Sequence, residues 1–350
     1  MPAFAAAPVA APGELSGRLL YVPYDRPGCE LRVYDLASGE DESLGPLGAD
    51  CAPGDFLYGF TASPDRSLLA WRDSSGHVLV REENGQLLRL AAASNEMAED
   101  ELGANFGPAF SPDSRQLSYC ALGADGTLIF TIVDPRDGRI LAELANGCRA
   151  VLTARGVAEL SDGSVFVDGR SLTLEDQPGP ALEQIEAPYQ LATNPSGTRI
   201  ALLAHGVAVG EKKTTAVVDT YDLDGNALGR YVLEGSLVRE SITLWFEIER
   251  LAPSARSAEV MWGCILQLAP FGGSDRFPLL YGESGPALGF VSYSPDGRFA
   301  VLGRREYQPL ASGGGTQERP PALDAVVLDG ETLVPRYRVP IHAEHIAWVG

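Results

Sequence analysis

The chain has 350 residues, 45% of them hydrophobic, which is ample for a large core, and length alone would suggest two domains. Its formal net charge of −20 argues against attraction to phosphate backbones or anionic lipid, so no nucleic-acid partner is expected. No uninterrupted apolar stretch reaches the ~18–20 residues of a membrane span, so no membrane insertion is expected either.

In chain order, residues 1–15 come first, opening "MPAFAAAPVAAPGE". They have neither the basic region nor the apolar core of a complete signal peptide. They read as a disordered Ala/Pro-rich leader or linker remnant, or as the frayed start of a cytoplasmic protein. From residue 16 the pattern changes to short apolar runs separated by turn residues. "SGRLLYVP" (16–23) is followed by "YDLASGE" at Tyr34, "GFTASPDRSLLAW" at Gly59 and "REENGQ" at Arg81. Then come "GPAFSPDSRQLSYC" at Gly107, "VDPRDGR" at Val133 and "RAVLTARGVAELSDG" at 149–163. "YQLATNPSGTRIALL" starts at Tyr189, "YDLDGNA" at Tyr221 and "IERLAPSARSAEVMWG" at Ile248. "VSYSPDGRFAVLG" (291–303), "VLDGET" at Val327 and "HIAWVG" (345–350) complete the series.

The fullest copy shows what the motif does. Ser294 opens a type I turn, Pro295 supplies a preset φ, Asp296 suits the third position and Gly297 accepts a left-handed conformation. Such a turn between β-rich runs is a hairpin loop. Its prolines fall at 64, 112, 195 and 295, spacings close to one or two periods of about 48 residues. A second hairpin turn follows each first one, giving about four short strands per period, the pattern of a β-propeller blade. Blade centres at 18–45, 57–92, 106–146, 149–175, 189–234, 243–280 and 289–339 predict an all-β, seven-bladed propeller of four-stranded antiparallel blades. Residues 16–350 would form one domain, closed by the C-terminal strand pairing with the N-terminal blade.

The Ser-Pro-Asp-Gly-Arg and Asp-Leu-x-x-Gly-Glu elements resemble the TolB-type, WD40-like bacterial propeller repeat over roughly residues 17–349. Only the copy at 291–298 is complete, since Arg66 and Ser114 replace the turn glycine. TolB itself has six blades behind a separate N-terminal domain, for which this chain has no room. The resemblance implies a fold; it does not carry TolB's function with it.

With the strands of a blade named a to d, the Ser-Pro-Asp turns (a–b) and the Asp-x-x-Gly turns (c–d) share one face. The b–c and d–a connections emerge on the other, and they are longer and irregular: 23–28, 92–105, 205–215 and 305–321. Long loops on a rigid scaffold are where binding residues concentrate. Asp25, Arg26, Asp55, Asp125, His205, Lys212, Lys213 and Tyr307 are the candidate partner-contacting residues of that face. Cys29, Cys51, Cys120 and Cys148 map to it too, in pairs 22 and 28 residues apart. Bridges Cys29–Cys51 and Cys120–Cys148 would each add about 3 kcal/mol in the chain-entropy model. Four buried thiols are the alternative, and Cys264 is left over in an apolar setting.

Catalytic signatures are weak. There is no G-x-S-x-G, and "SDGSVF" lacks the Thr-Trp of a sialidase turn. His342 and His345 sit three apart, which in extended chain points them to opposite faces. The calcium-like start "DLDGNA" lacks the glycine and glutamate of a calcium loop. The leading expectation is therefore a non-catalytic module without cofactor, periplasmic, cell-surface or secreted. It would bind a protein or peptide through the irregular face, as a monomeric disc or within an envelope assembly. The alternative is a lyase- or lactonase-like propeller enzyme acting on a sugar or lactone. A divalent metal would then sit in its central channel, with Asp25, Asp55, Asp125 and Glu211 as candidate carboxylates.

Overall fold

The computed structural model describes residues 8–10, 14–23, 30–47, 58–73, 76–92, 107–123, 125–177, 182–208, 214–233, 246–251, 257–262, 265–270, 287–294, 296–305, 322–330 and 334–349. These residues form an all-β fold of the propeller type, built from four-stranded antiparallel blades. The chain divides into two compact units, one of residues 1–55, 264–270 and 275–350, the other of residues 56–263 and 271–274.

The first unit holds two blades, with strands numbered in chain order. β1 (Arg18–Pro23), β2 (Glu30–Asp35) and β3 (Asp41–Pro46) follow one another, and the last strand, β28 (Ala343–Trp348), pairs antiparallel with β1, placing Leu19 opposite Trp348 and Val22 opposite His345. β24 (Ala287–Tyr293), β25 (Phe299–Arg305), β26 (Ala322–Asp329) and β27 (Pro335–Val339) make the other blade. Between them lies one apolar cluster: Val301, Ala325, Val327, Val339 and Ile341 from one side, Leu19, Tyr21, Ile346 and Trp348 from the other. Pro8–Ala10, inside the segment read as a leader, run beside β27, and Leu15 is buried in this same cluster. Across the first blade, the Tyr21 hydroxyl donates to Asp41 at 3.0 Å, and Arg32 donates to the same carboxylate at 3.1 Å. Burial, then the Asp41 charge, pushes the Tyr21 phenol up to about 12.

The second unit holds four blades. They comprise β4 (Tyr58–Ala62), β5 (Leu68–Arg72), β6 (His77–Glu82) and β7 (Leu87–Ala92); then β8 (Ala109–Phe110), β9 (Leu117–Leu122), β10 (Leu128–Val133) and β11 (Ile140–Leu144). Next come β12 (Ala150–Thr153), β13 (Gly156–Ser161), β14 (Ser164–Val167) and β15 (Arg170–Ser171). The fourth sheet has five strands: β16 (Leu182–Ile185) and β17 (Gln190–Thr193) both pair with the long β18 (Arg199–Ala208), followed by β19 (Thr214–Asp222) and β20 (Ala227–Leu233).

Strand periodicity explains the packing. Along β10, Val133 joins the cluster shared with the preceding blade, while Leu128, Phe130 and Ile132 join the next one. The blade of β10 thus buries both faces, with a separate apolar layer at each of its two junctions.

Among the described residues six blades of four or five strands form, not the seven expected from the repeat spacing. The stretch read as the additional blade, 243–280, gives β21 (Phe246–Leu251) and β22 (Ser257–Trp262), paired antiparallel, and β23 (Ile265–Pro270) among the described residues. The physical reason is visible in its sequence. Neither turn motif is complete in that stretch, so no local turn chemistry fixes its two hairpins.

Two glycines separate conformational strain from crowding. Gly197 has φ 61°, and a Cβ there would lie 2.5 Å from Pro112 Cγ and 2.6 Å from the Ala154 nitrogen; Gly126 has φ 84° with nothing within 4 Å. Gly126→Ala should cost only the left-handed term, about 1–2 kcal/mol. Gly197→Ala should cost about 2–4 kcal/mol, because backbone has to move as well. Urea unfolding of both variants checks the difference; equal losses would contradict it.

Candidate functional site

The two ends of a blade differ in how their polar groups are used. At the Ser-Pro-Asp end, a serine closes three of the described turns through its side chain. The Ser111 hydroxyl donates to Asp113 at 2.7 Å and accepts from the Gln116 amide at 2.9 Å, while Asp113 accepts from the Arg115 amide at 3.1 Å. The left-handed Ser114 (φ 62°) donates its amide to the Ser111 carbonyl at 2.9 Å. Ser63 with Asp65, and Ser294 with Asp296, repeat this arrangement, at 2.7 and 2.8 Å. Asn194 substitutes for serine, its side-chain oxygen accepting from the Thr198 and Arg199 amides at 2.9 and 3.0 Å.

These turns also bind one another within the second unit. The Asp65 amide donates to Ser114 Oγ at 2.8 Å and the Ala154 amide to the Gly197 carbonyl at 2.9 Å. Arg136 reaches Asp65 at 3.6 Å, and Arg155 donates to the Leu223 carbonyl at 3.0 Å and to Asp224. The Ser111 hydroxyl is the main cause holding Asp113 below the ordinary carboxylate value of 3.8. Burial pushes Asp65 and Asp296 up, yet hydrogen bonds from Ser63 and Ser67, and from the Arg298 amide and Ser294, leave both below it.

At the opposite end the described residues do different things. Cys120, in the second half of β9, and Cys148, in the link to β12, form a disulfide with Cα atoms 5.7 Å apart, both buried in the apolar layer between two blades. Arg72, buried at the end of β5, donates to the Cys120 carbonyl at 2.8 Å and so ties the preceding blade to the bridged one. Asp125 is exposed in the β9–β10 turn, where it accepts from the Thr127 amide at 3.1 Å and hydroxyl at 2.6 Å. His205, buried near the far end of β18, stacks on Tyr189 with ring centroids 4.7 Å apart. Burial pushes its pKa down, and Glu186 partly opposes this. At the start of β6, His77 lies 3.0 Å from Arg89 and 3.8 Å from Asp73.

Asp125 and His205 therefore stand in different sheets. Asp25, Arg26, Asp55, Lys212, Lys213, Tyr307 and Glu211 lie outside the described residues, as do Cys29, Cys51 and Cys264. Among the described residues no three His, Cys, Asp or Glu side chains gather as a metal-holding group. Sequence reasoning missed Arg72, although its place in the alternation with Leu68 and Ala70 marks an inward-facing position.

No family model matches the chain, and comparison with curated proteins gives no match. Solved structures similar to it include TolB from Acinetobacter baumannii, at 14% identity over 97% of this chain and 68% of that one, with a TM-score of 0.46. A chain of a nidogen/laminin complex is 12% identical over 96% and 99%, with a TM-score of 0.42. Dihydro-heme d1 dehydrogenase NirN in complex with DHE is 14% identical over 97% and 77%, with a TM-score of 0.43. All three lie below 0.5, and the fold assignment rests on the chain's own strand pairing.

The turn carboxylates make an acid-lability prediction. Their folded values lie below the unfolded one, so their contribution is complete above 3.8 and is lost as pH falls through the lowered folded values. Asp113→Ala should lose about 1 kcal/mol at neutral pH through its missing hydrogen bonds. It should also decline less steeply in acid than the wild type, in urea midpoints measured from pH 6 downwards. A parallel decline would contradict the assignment.

Proposed function

We propose that this is a non-catalytic interaction module, extracytoplasmic, that binds a protein or peptide partner through the blade ends opposite the Ser-Pro-Asp turns. The observation that carries the reading is the asymmetry between the ends. Turn groups at one end are engaged with their own turns and with neighbouring turns. The other end carries the buried Cys120–Cys148 bond and the Arg72 contact beneath connections that the sequence makes long and irregular. A rigid support under variable loops is the usual arrangement of a recognition surface. The disulfide supports an oxidising compartment, since such bonds are rare in the reducing cytosol. Asp25, Arg26, Asp55, Asp125, Lys212, Lys213 and Tyr307 are the residues offered for contact; His205, buried against Tyr189, is set aside.

The experiment is affinity capture from an envelope extract of the native organism, with two variants. Deleting 311–318, "ASGGGTQE", should leave the melting temperature within a few degrees, because polar loop residues bury little apolar area. It should weaken capture at least tenfold. Gly297→Val, at a left-handed position (φ 70°), should cost about 1–2 kcal/mol of stability and leave capture unchanged. The reverse pattern, with the turn variant folded but unable to bind, would assign the wrong end.

A further inference from the structure

β27 is the last strand of its sheet, so its outer side is an edge. That edge is filled from far along the chain. The Arg338 amide donates to the Pro8 carbonyl at 2.7 Å, the Ala10 amide donates to the Arg338 carbonyl at 2.9 Å, and Val9 is bridged to Arg338 in parallel. Pro8 has no N–H to offer, and the pairing uses only its carbonyl. Ala10 packs against the apolar cluster holding Val339 and Ile341, whereas Val9 is 50% exposed. Leu15, buried in that cluster, anchors the chain on its way to β1. The Arg338 side chain is directed to Asp324, 3.6 Å away.

The described contact is thus two main-chain hydrogen bonds with small side chains around them. In strand addition the main chain supplies affinity and side-chain pockets supply specificity. Here the side chains at 8–10 are small, and what holds the segment is the tether, which gives it an effective concentration of about millimolar. We propose that the β27 edge is a parallel strand-addition site for an extended peptide of small apolar residues, occupied in cis by Pro8–Ala10. A free peptide of the same kind is then excluded until the tethered segment leaves.

The test uses the full chain and a fluorescent synthetic peptide of residues 3–12, "AFAAAPVAAP". Ala10→Pro removes the donor to Arg338 without shortening the chain. In that variant the Arg338 amide should exchange with solvent at least tenfold faster than in the wild type. The peptide should bind it saturably and at least tenfold more tightly than it binds the wild type, while a peptide carrying the same proline should not bind. A chain lacking residues 2–12 is the second variant, with the same expectations, should Ala10→Pro melt far below the wild type. Unchanged Arg338 exchange, no peptide binding to either variant, or equal binding to wild type and variant would overturn the proposal. So would a wild-type dimer that exchanges this segment between copies, since the occupant would then be a second molecule.

Discussion

The hydroxyl of one serine, placed where a strand ends, is the interaction on which the rest of the fold depends. Ser63, Ser111 and Ser294 each donate to an aspartate two residues on and accept from an amide five residues on. The turn is thereby closed from inside by side chains, and the strands on either side leave it in a fixed register. Register matters because a slip of one residue would turn every core side chain outward. Each hydrogen bond contributes only about 1 kcal/mol, but each decides which face of two strands is apolar.

Fixed register makes the blade junctions possible. Leu68, Ala70, Val78 and Val80 meet Leu117, Tyr119 and Val133 in one layer, and Cys120, Phe130 and Ile132 meet Ala150 and Leu152 in the next. The turns then reinforce the stack, through Asp65 on Ser114 and Ala154 on Gly197. Gly197 has to remain bare because Pro112 and Ala154 of other turns occupy the space a Cβ would need. Arg72 and the Cys120–Cys148 bond tie the same blades together through other contacts.

Much of this was legible in the sequence, for identifiable reasons. Turn chemistry is local, so Ser294-Pro-Asp-Gly could be read directly, and Arg66 and Ser114 do take the left-handed position of the missing glycine. The pairing of β28 with β1 followed from the strand pattern of "HIAWVG". The blade count did not, because 243–280 was assigned by spacing where no turn motif fixes a fourth strand. Arg72 was invisible as a contact because its acceptor, the Cys120 carbonyl, lies 48 residues away. The Pro8–Ala10 pairing was missed for a related reason: Ala and Pro carry almost no periodic signal, and the bonds are made by the main chain. Of the candidate surface, Asp125 proves to be occupied in shaping its own turn, and His205 is buried against Tyr189.

Native-state hydrogen exchange of the amides that donate to the turn side chains tests the central claim most directly. The Leu68, Gln116, Thr198 and Phe299 amides are bonded to Ser63, Ser111, Asn194 and Ser294. If side-chain closure of these turns sets the register of the blades, all four should exchange as slowly as amides in the middle of β9 and β18, opening only with the blade itself. Exchange at the rate of an exposed loop, with strand amides still protected, would show that the blades hold their register without the turns.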